Sequence, residues 1–199
     1  MSRIIGGSAG GRRLRTPTGD ATRPTSDRVR EALFSALEAE FGSLHGLRFL
    51  DLYAGSGAVG LEAASRGAAA VTAVESDRRT ARLVAANATA LGFDLDVRAQ
   101  TVSAALATPP RSAYDVVFLD PPYPLSGQEV THALALLVTH GWVGPGGAVV
   151  VERSARSVAP VWPDGLELRR QKKYGETVLW YLRRDSDTDP DAATGAHPL

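Results

Sequence analysis

The chain has no cysteine among its 199 residues. Disulfides and thiolate metal sites are therefore excluded, and so is any covalent catalysis through a thiol. Its four histidines, His45, His132, His140 and His197, are scattered without metal-ligand spacing. No apolar run approaches the roughly 20 residues of a membrane-spanning helix. The N-terminus is rich in glycine and arginine and lacks the apolar centre of a secretory signal. There are no internal repeats, and the formal net charge is zero. These absences leave a cytoplasmic, metal-free, monomeric protein as the expectation, most simply with one main domain.

The zero net charge hides an asymmetry. Arginines 3, 12, 13, 15, 23, 28 and 30 face only Asp20 and Asp27 in the first 30 residues. Residues 185–199 hold four aspartates and no Lys or Arg. Residues 1–22 therefore read as a flexible basic arm suited to phosphate. Residues 185–199 read as a disordered acidic tail. A single folded unit over 23–184 lies between them.

Within that unit, strand and helix patterns alternate. Apolar runs at Leu47–Leu52, Ala70–Val74, Tyr114–Leu119 and Ala148–Val151 read as strands, and Asp94–Ala99 reads as a further one, third in chain order. Helices are expected from a Ser26 cap to about Glu40, over Ala58 to Arg66, from a Ser76 cap to Leu91, and over Gln128 to His140. A turn at Gly144-Pro145-Gly146-Gly147 precedes the fifth strand. Leu166–Tyr174 and Thr177–Leu182 flank Gly175-Glu176 and read as a hairpin. Strands joined by helices imply right-handed crossovers and an α/β fold. The expected architecture is Rossmann-like, with a mostly parallel seven-stranded sheet and a C-terminal antiparallel hairpin.

Two motifs carry chemistry. The first strand runs into Tyr53-Ala54-Gly55-Ser56-Gly57-Ala58-Val59-Gly60, a Gly-x-Gly-x-x-Gly pattern. Gly55 suits a tight turn, Gly57 the approach of a ligand, and Gly60 close packing of the next helix. The second strand ends on Glu75, beside Ser76, where a carboxylate can accept both ribose hydroxyls. A dinucleotide would place its pyrophosphate on the helix N-terminus, whereas S-adenosylmethionine brings an amino group and a sulfonium that suit Asp51. The second motif, Asp120-Pro121-Pro122-Tyr123, follows the fourth strand. Proline ends the ladder there and turns the chain outward, where open α/β sheets bind ligands. The Asp120 carboxylate and the Pro121 carbonyl can accept both N–H bonds of a planar amine, and Tyr123 can lie on the ring. Hydride transfer needs no amine clamp, and methyl transfer to an exocyclic nitrogen does. A methyl donor site beside an amine acceptor site is the resulting expectation, with S-adenosylmethionine as cofactor.

Asp-Pro-Pro-Tyr after such a donor site resembles the amino-methyltransferases of adenine, cytosine or guanine. The stretches Arg3-Ile4-Ile5-Gly6-Gly7, Gly11-Arg12-Arg13-Leu14 and Arg23-Pro24-Thr25-Ser26-Asp27-Arg28-Val29-Arg30-Glu31-Ala32-Leu33-Phe34 closely resemble the RsmD family, bacterial 16S rRNA guanine-N2 methyltransferases. The resemblance runs from Arg3 to Arg184. It implies Asp120, Pro121, Pro122 and Tyr123 as the catalytic set. Asp51, Tyr53, Ala54, Gly55, Ser56, Gly57, Glu75 and Ser76 would hold the cofactor. Arg23 and Thr25 are implied as contacts to the cofactor's methionine end or to RNA, and Arg3, Arg12, Arg13, Arg15 and Arg28 as RNA-binding. Many S-adenosylmethionine enzymes offer Asp or Asn to the adenine after the third strand. Here Gln100 or Thr101 stands there. The implied partner is 16S rRNA or the assembling small ribosomal subunit. Three rivals remain: a DNA adenine methyltransferase, a protein glutamine methyltransferase and a non-catalytic RNA-binding subunit.

Overall fold

Central strands rich in Val, Leu and Phe must be covered on both faces, and the fold supplies a helical layer to each. The structure, a computed structural model, describes residues 2–17, 26–122 and 125–186. Two short strands, β1 (Ser2–Arg3) and β2 (Arg13–Leu14), pair antiparallel around a single 3-10 turn at Gly7–Ala9. The main sheet contains β3 (Arg48–Leu52), β4 (Ala70–Glu75), β5 (Asp96–Ala99), β6 (Tyr114–Leu119), β7 (Val143–Ser154), β8 (Leu166–Tyr174) and β9 (Thr177–Arg184). Its order is β5-β4-β3-β6-β7-β9-β8, seven strands in all. The first five are parallel, and β9 and β8 close one edge antiparallel. The chain order reverses between β3 and β6, so the carboxyl ends of these two strands open the crevice in which such sheets bind ligands.

Alternate residues of each strand point to opposite faces. On one face, Leu33, Phe34 and Leu37 of α1 (Asp27–Phe41) and Val59 and Ala63 of α2 (Ala58–Ser65) pack on Phe49, Phe118, Val150 and Leu179. On the other, α4 (Val102–Leu106) and α5 (Gly127–Thr139) pack Leu106, Leu134 and Leu137 on Leu50, Val117, Leu119 and Val149. Helix α3 (Arg78–Leu91) joins a third cluster, in which Ala88 meets Leu61 of α2 together with Ile4, Ala9 and Leu14. No helix among the described residues is long and apolar enough to cross a membrane.

Several local details depart from the sequence reading. Residues 2–17, expected within a flexible arm, form a hairpin docked on α2 and α3, with Ile4 and Leu14 buried. The reason is polar as well as apolar. Buried Glu62 accepts from the amides of Ile5 (2.7 Å) and Gly6 (2.8 Å), and Ser65 Oγ accepts from Ala9 N at 2.9 Å. The cap of α3 is Asp77, which accepts from Thr80 N at 2.7 Å, rather than Ser76. Helix α4 was not expected, and its cap is Thr101. The turn 144–147 lies inside the longer β7, as an irregular stretch between the pairs Tyr114–Val143 and Val116–Ala148. Ser26 caps α1 as expected, accepting from Val29 N at 3.2 Å. Of the acidic tail, residues 187–199 lie outside the described residues.

Candidate active site

Asp51 occupies the fourth position of β3, and its side chain turns under the glycine loop. It is 1% exposed and accepts from the Gly60 amide at 2.8 Å. Its carboxyl is raised from 3.8 to about 7: burial raises it most, the Gly60 amide lowers it, and the charges of Asp120 and Glu75 raise it. Glu75, at the end of β4, accepts from Gly55 N (2.9 Å) and from Asp77 N (2.8 Å). One carboxylate thus holds both the glycine loop and the start of α3, and lone pairs remain for other donors. Asp120 follows β6, half-buried, with its amide 3.4 Å from Leu52 O. Three acids from three adjacent strands therefore converge at one sheet edge.

The loop between them is conformationally specialised. Tyr53 adopts φ 60°, the left-handed region that non-glycine residues rarely occupy, and no other described non-glycine residue has a positive φ. Its ring is half-buried, and its phenol is pushed up to about 12 by burial, with Glu129 adding. Gly55, at φ 56°, has open space where a side chain would project. A Cβ on Gly57 would stand 2.6 Å from Val84 Cγ1. The approach that Gly57 permits is thus that of α3, and the open side belongs to Gly55. A Cβ on Gly60 would meet Asp51 Oδ2 at 3.2 Å, so its expected packing role holds.

Ala54, Ser56 and Ser76 lie on the same rim, as do Gln100 and Thr101 beyond β5, beside Glu75, which pairs with Ala99. The Thr101 hydroxyl accepts from Ala104 N at 3.2 Å, which occupies it as a helix cap. Beyond Asp120, Pro121 is buried, Pro122 is exposed, and the Pro122 carbonyl accepts from Leu125 N at 2.9 Å. Tyr123, Arg23 and Thr25 lie outside the described residues. Arg3, Arg12, Arg13, Arg15 and Arg28 are exposed on the N-terminal hairpin, the segment after it and the start of α1. Of these, Arg3 pairs with Asp27 at 3.2 Å, and Arg12 donates to Ala90 O at 2.9 Å.

Three supporting groups escaped the sequence reading. Arg153, at the end of β7, donates to Leu125 O at 3.0 Å and so fastens the segment after Pro122. Asn87 of α3 donates to Ser56 O (3.3 Å) and bonds both Arg15 backbone groups, linking the glycine loop to the N-terminal segment. Ser126 and Glu129 form a capping box at the start of α5. Only the last has a sequence signal, the Ser-x-x-Glu spacing.

Comparison with known proteins adds identity to this geometry. The family described as "Conserved hypothetical protein 95" matches residues 2–183. Ribosomal RNA small subunit methyltransferase D of Escherichia coli K12 is 34% identical over 194 residues, covering 96% of this chain and 93% of that protein. The chain belongs to the RsmD family. The Haemophilus influenzae protein of the same name is 34% identical over 177 residues, covering 87% of this chain and 89% of its own. The solved Escherichia coli yhhF structure, described as a methyltransferase, superposes with TM-score 0.80 at 32% identity, covering 92% of this chain and 98% of that one. A more distant structure, SMU.776 with SAH bound, shares the fold alone, at TM-score 0.62 and 16% identity, covering 78% of this chain and 48% of that one. The Rossmann-like methyltransferase architecture expected for this RsmD member is the one it has.

Proposed function

We propose that this protein transfers a methyl group from S-adenosylmethionine to the exocyclic N2 of a guanine in 16S ribosomal RNA. The observation that carries the reading is the convergence of Asp51, Glu75 and Asp120 around the glycine loop. Such a cluster repels anions and favours a cationic ligand. That argues for a sulfonium cofactor bearing an ammonium group, and against a pyrophosphate. The cofactor supplies an electrophilic methyl group. Asp51 faces its positive charge, Glu75 takes the ribose hydroxyls, and the open side of Gly55 admits it. Of Gln100 and Thr101, Gln100 is the proposed adenine contact, because the Thr101 hydroxyl already accepts from Ala104 N.

Asp120 and the Pro121 carbonyl accept the two N–H bonds of the target amine. An exocyclic amine is a poor nucleophile because its lone pair is delocalised into the ring. Holding both N–H groups turns that lone pair out of the ring plane and toward the methyl group. Positioning supplies much of the remaining acceleration. Asp120 can also accept from guanine N1–H, a bond that adenine does not offer. Tyr123 stacks on the extruded base, a contact worth about 1–3 kcal/mol. Arg153 fixes the loop end through Leu125. The names of the relatives support ribosomal RNA as substrate, and the SAH in SMU.776 supports the cofactor. The reading places the enzyme in the cytoplasm as a monomer acting on 16S rRNA or the assembling small subunit.

Methyl-labelled S-adenosylmethionine with 16S rRNA tests this. The expected product on nucleoside analysis is N2-methylguanosine. Asp120→Ala is expected to abolish transfer while cofactor affinity stays within a few-fold. Label on adenine, or no label on RNA, rejects the substrate. Equal loss of cofactor binding removes Asp120 from the acceptor site.

A further inference from the structure

Edge strand β8 reads Leu-Glu-Leu-Arg-Arg-Gln-Lys-Lys-Tyr, and every residue from Glu167 to Lys173 is exposed. Lys172 and Lys173 are the only lysines in the 199-residue chain. Acids account for part of the local charge. Glu167 pairs with Arg169 at 3.0 Å, and Glu176 in the following turn pairs with Arg156 at 3.1 Å. Arg170 lies over the Tyr181 ring at 4.3 Å. Neither lysine takes part in an ion pair with a described residue.

Register puts this charge beside the site. Leu119 pairs with Val151, Val151 with Trp180, and Trp180 with Gln171. The next row therefore starts at Asp120 and runs through Glu152 and Leu179 to Lys172. The lysines stand level with the acceptor motif, three strand spacings away, which is about 14 Å. Lys172 shares a face with Leu179, and Lys173 shares the opposite face with Val178. The sheet edge thus offers unpaired cations on both sides, and a row of unpaired backbone groups lies between them.

We propose that the β8 edge, through Arg170, Lys172 and Lys173, grips the phosphate backbone of the RNA strand that flanks the target base. The inference rests on the function proposed above and adds a surface to it. The carboxylate cluster repels phosphate, so the backbone must find its countercharge to the side of the site. This edge supplies it at the right height. Edge lysines also discourage pairing between sheets of neighbouring molecules, and the test separates that role from this one.

The full-length chain is compared with Lys172→Gln/Lys173→Gln and Lys172→Glu/Lys173→Glu, in binding to a 16S rRNA transcript over a salt series. A cofactor titration checks that each variant is folded. The Gln pair is expected to bind about tenfold more weakly, with the salt slope reduced by about 1.4, or about 0.7 for each single-strand phosphate that the variant no longer neutralises. The Glu pair keeps the edge charged and is expected to bind more weakly still. Amine-directed acetylation read by mass spectrometry is expected to show both lysines protected by RNA. Unchanged affinity and slope in both variants, or acetylation at the same rate with RNA present, overturns the inference and leaves the lysines as edge guards. Wild-type protein that never methylates RNA rejects the underlying function as well. Wild-type methylation with unaltered variants rejects only this surface.

Discussion

A carboxylate buried beneath a ligand loop holds its proton more tightly than an exposed one and gives it up to a cation. Asp51 does this through burial, which outweighs the Gly60 amide, and its carboxyl sits at about 7. The unfolded chain loses this proton near the ordinary value of 3.8. Between those values the native state binds more protons than the unfolded state, so stability falls as pH rises. The contribution is complete below about pH 4 and is lost through pH 7, on the order of 4 kcal/mol. Asp51→Asn is expected to flatten that fall in urea unfolding across the window. A cationic ligand reverses the preference. Cofactor affinity in the wild type is expected to rise about tenfold per pH unit below pH 7 and then level off, with proton release seen by calorimetry in different buffers. A flat profile means that Asp51 does not face the bound charge. The position of Asp51 was legible because it lies one residue before the end of an apolar strand that leads into the glycines. The left-handed backbone of Tyr53 was not, because φ at a non-glycine residue depends on what the loop must span.

Capping and docking groups show what helices and hairpins owe to distant residues. Ser26 and the Ser126-Glu129 box act within one turn, and their spacing is visible in the chain. Glu62 acts across 56 and 57 positions, and nothing near it in sequence marks it as the anchor of the N-terminal hairpin. It also bonds Arg66 at 2.8 Å, and Arg66 reaches Glu38 of α1 at 2.9 Å, so one buried acid ties three elements together. Glu62→Ala leaves two amides and a guanidinium short of a partner. The expected cost is about 2–5 kcal/mol, with faster hydrogen exchange at Ile5 and Gly6 than in β6. Equal exchange rates in the variant and the wild type show the hairpin to be held by its apolar residues alone.

At the scale of the whole molecule, the N-terminal hairpin completes the layer over α2 and α3. Ile4 and Leu14 are 0% and 4% exposed, and burying each side chain contributes about 1.5–3 kcal/mol. Deleting residues 1–17 is therefore expected to lower Tm by about 10 °C or more, as read by calorimetry. A Tm within about 2 °C of the wild type restores the picture of a loose arm. The sequence by itself determined the alternation of strands and helices, the parallel sheet with its antiparallel edge, and the two motifs at strand ends. Those features follow from periodicity and from glycine and proline stereochemistry, which act over a few residues. The tertiary structure alone decided that the basic N-terminal segment docks and that Gly57 makes room for α3. It alone set Arg153 behind the acceptor loop and Lys172 in the row of Asp120. Each of these depends on residues tens of positions apart brought together by sheet order and helix packing, and no local pattern encodes such a pairing.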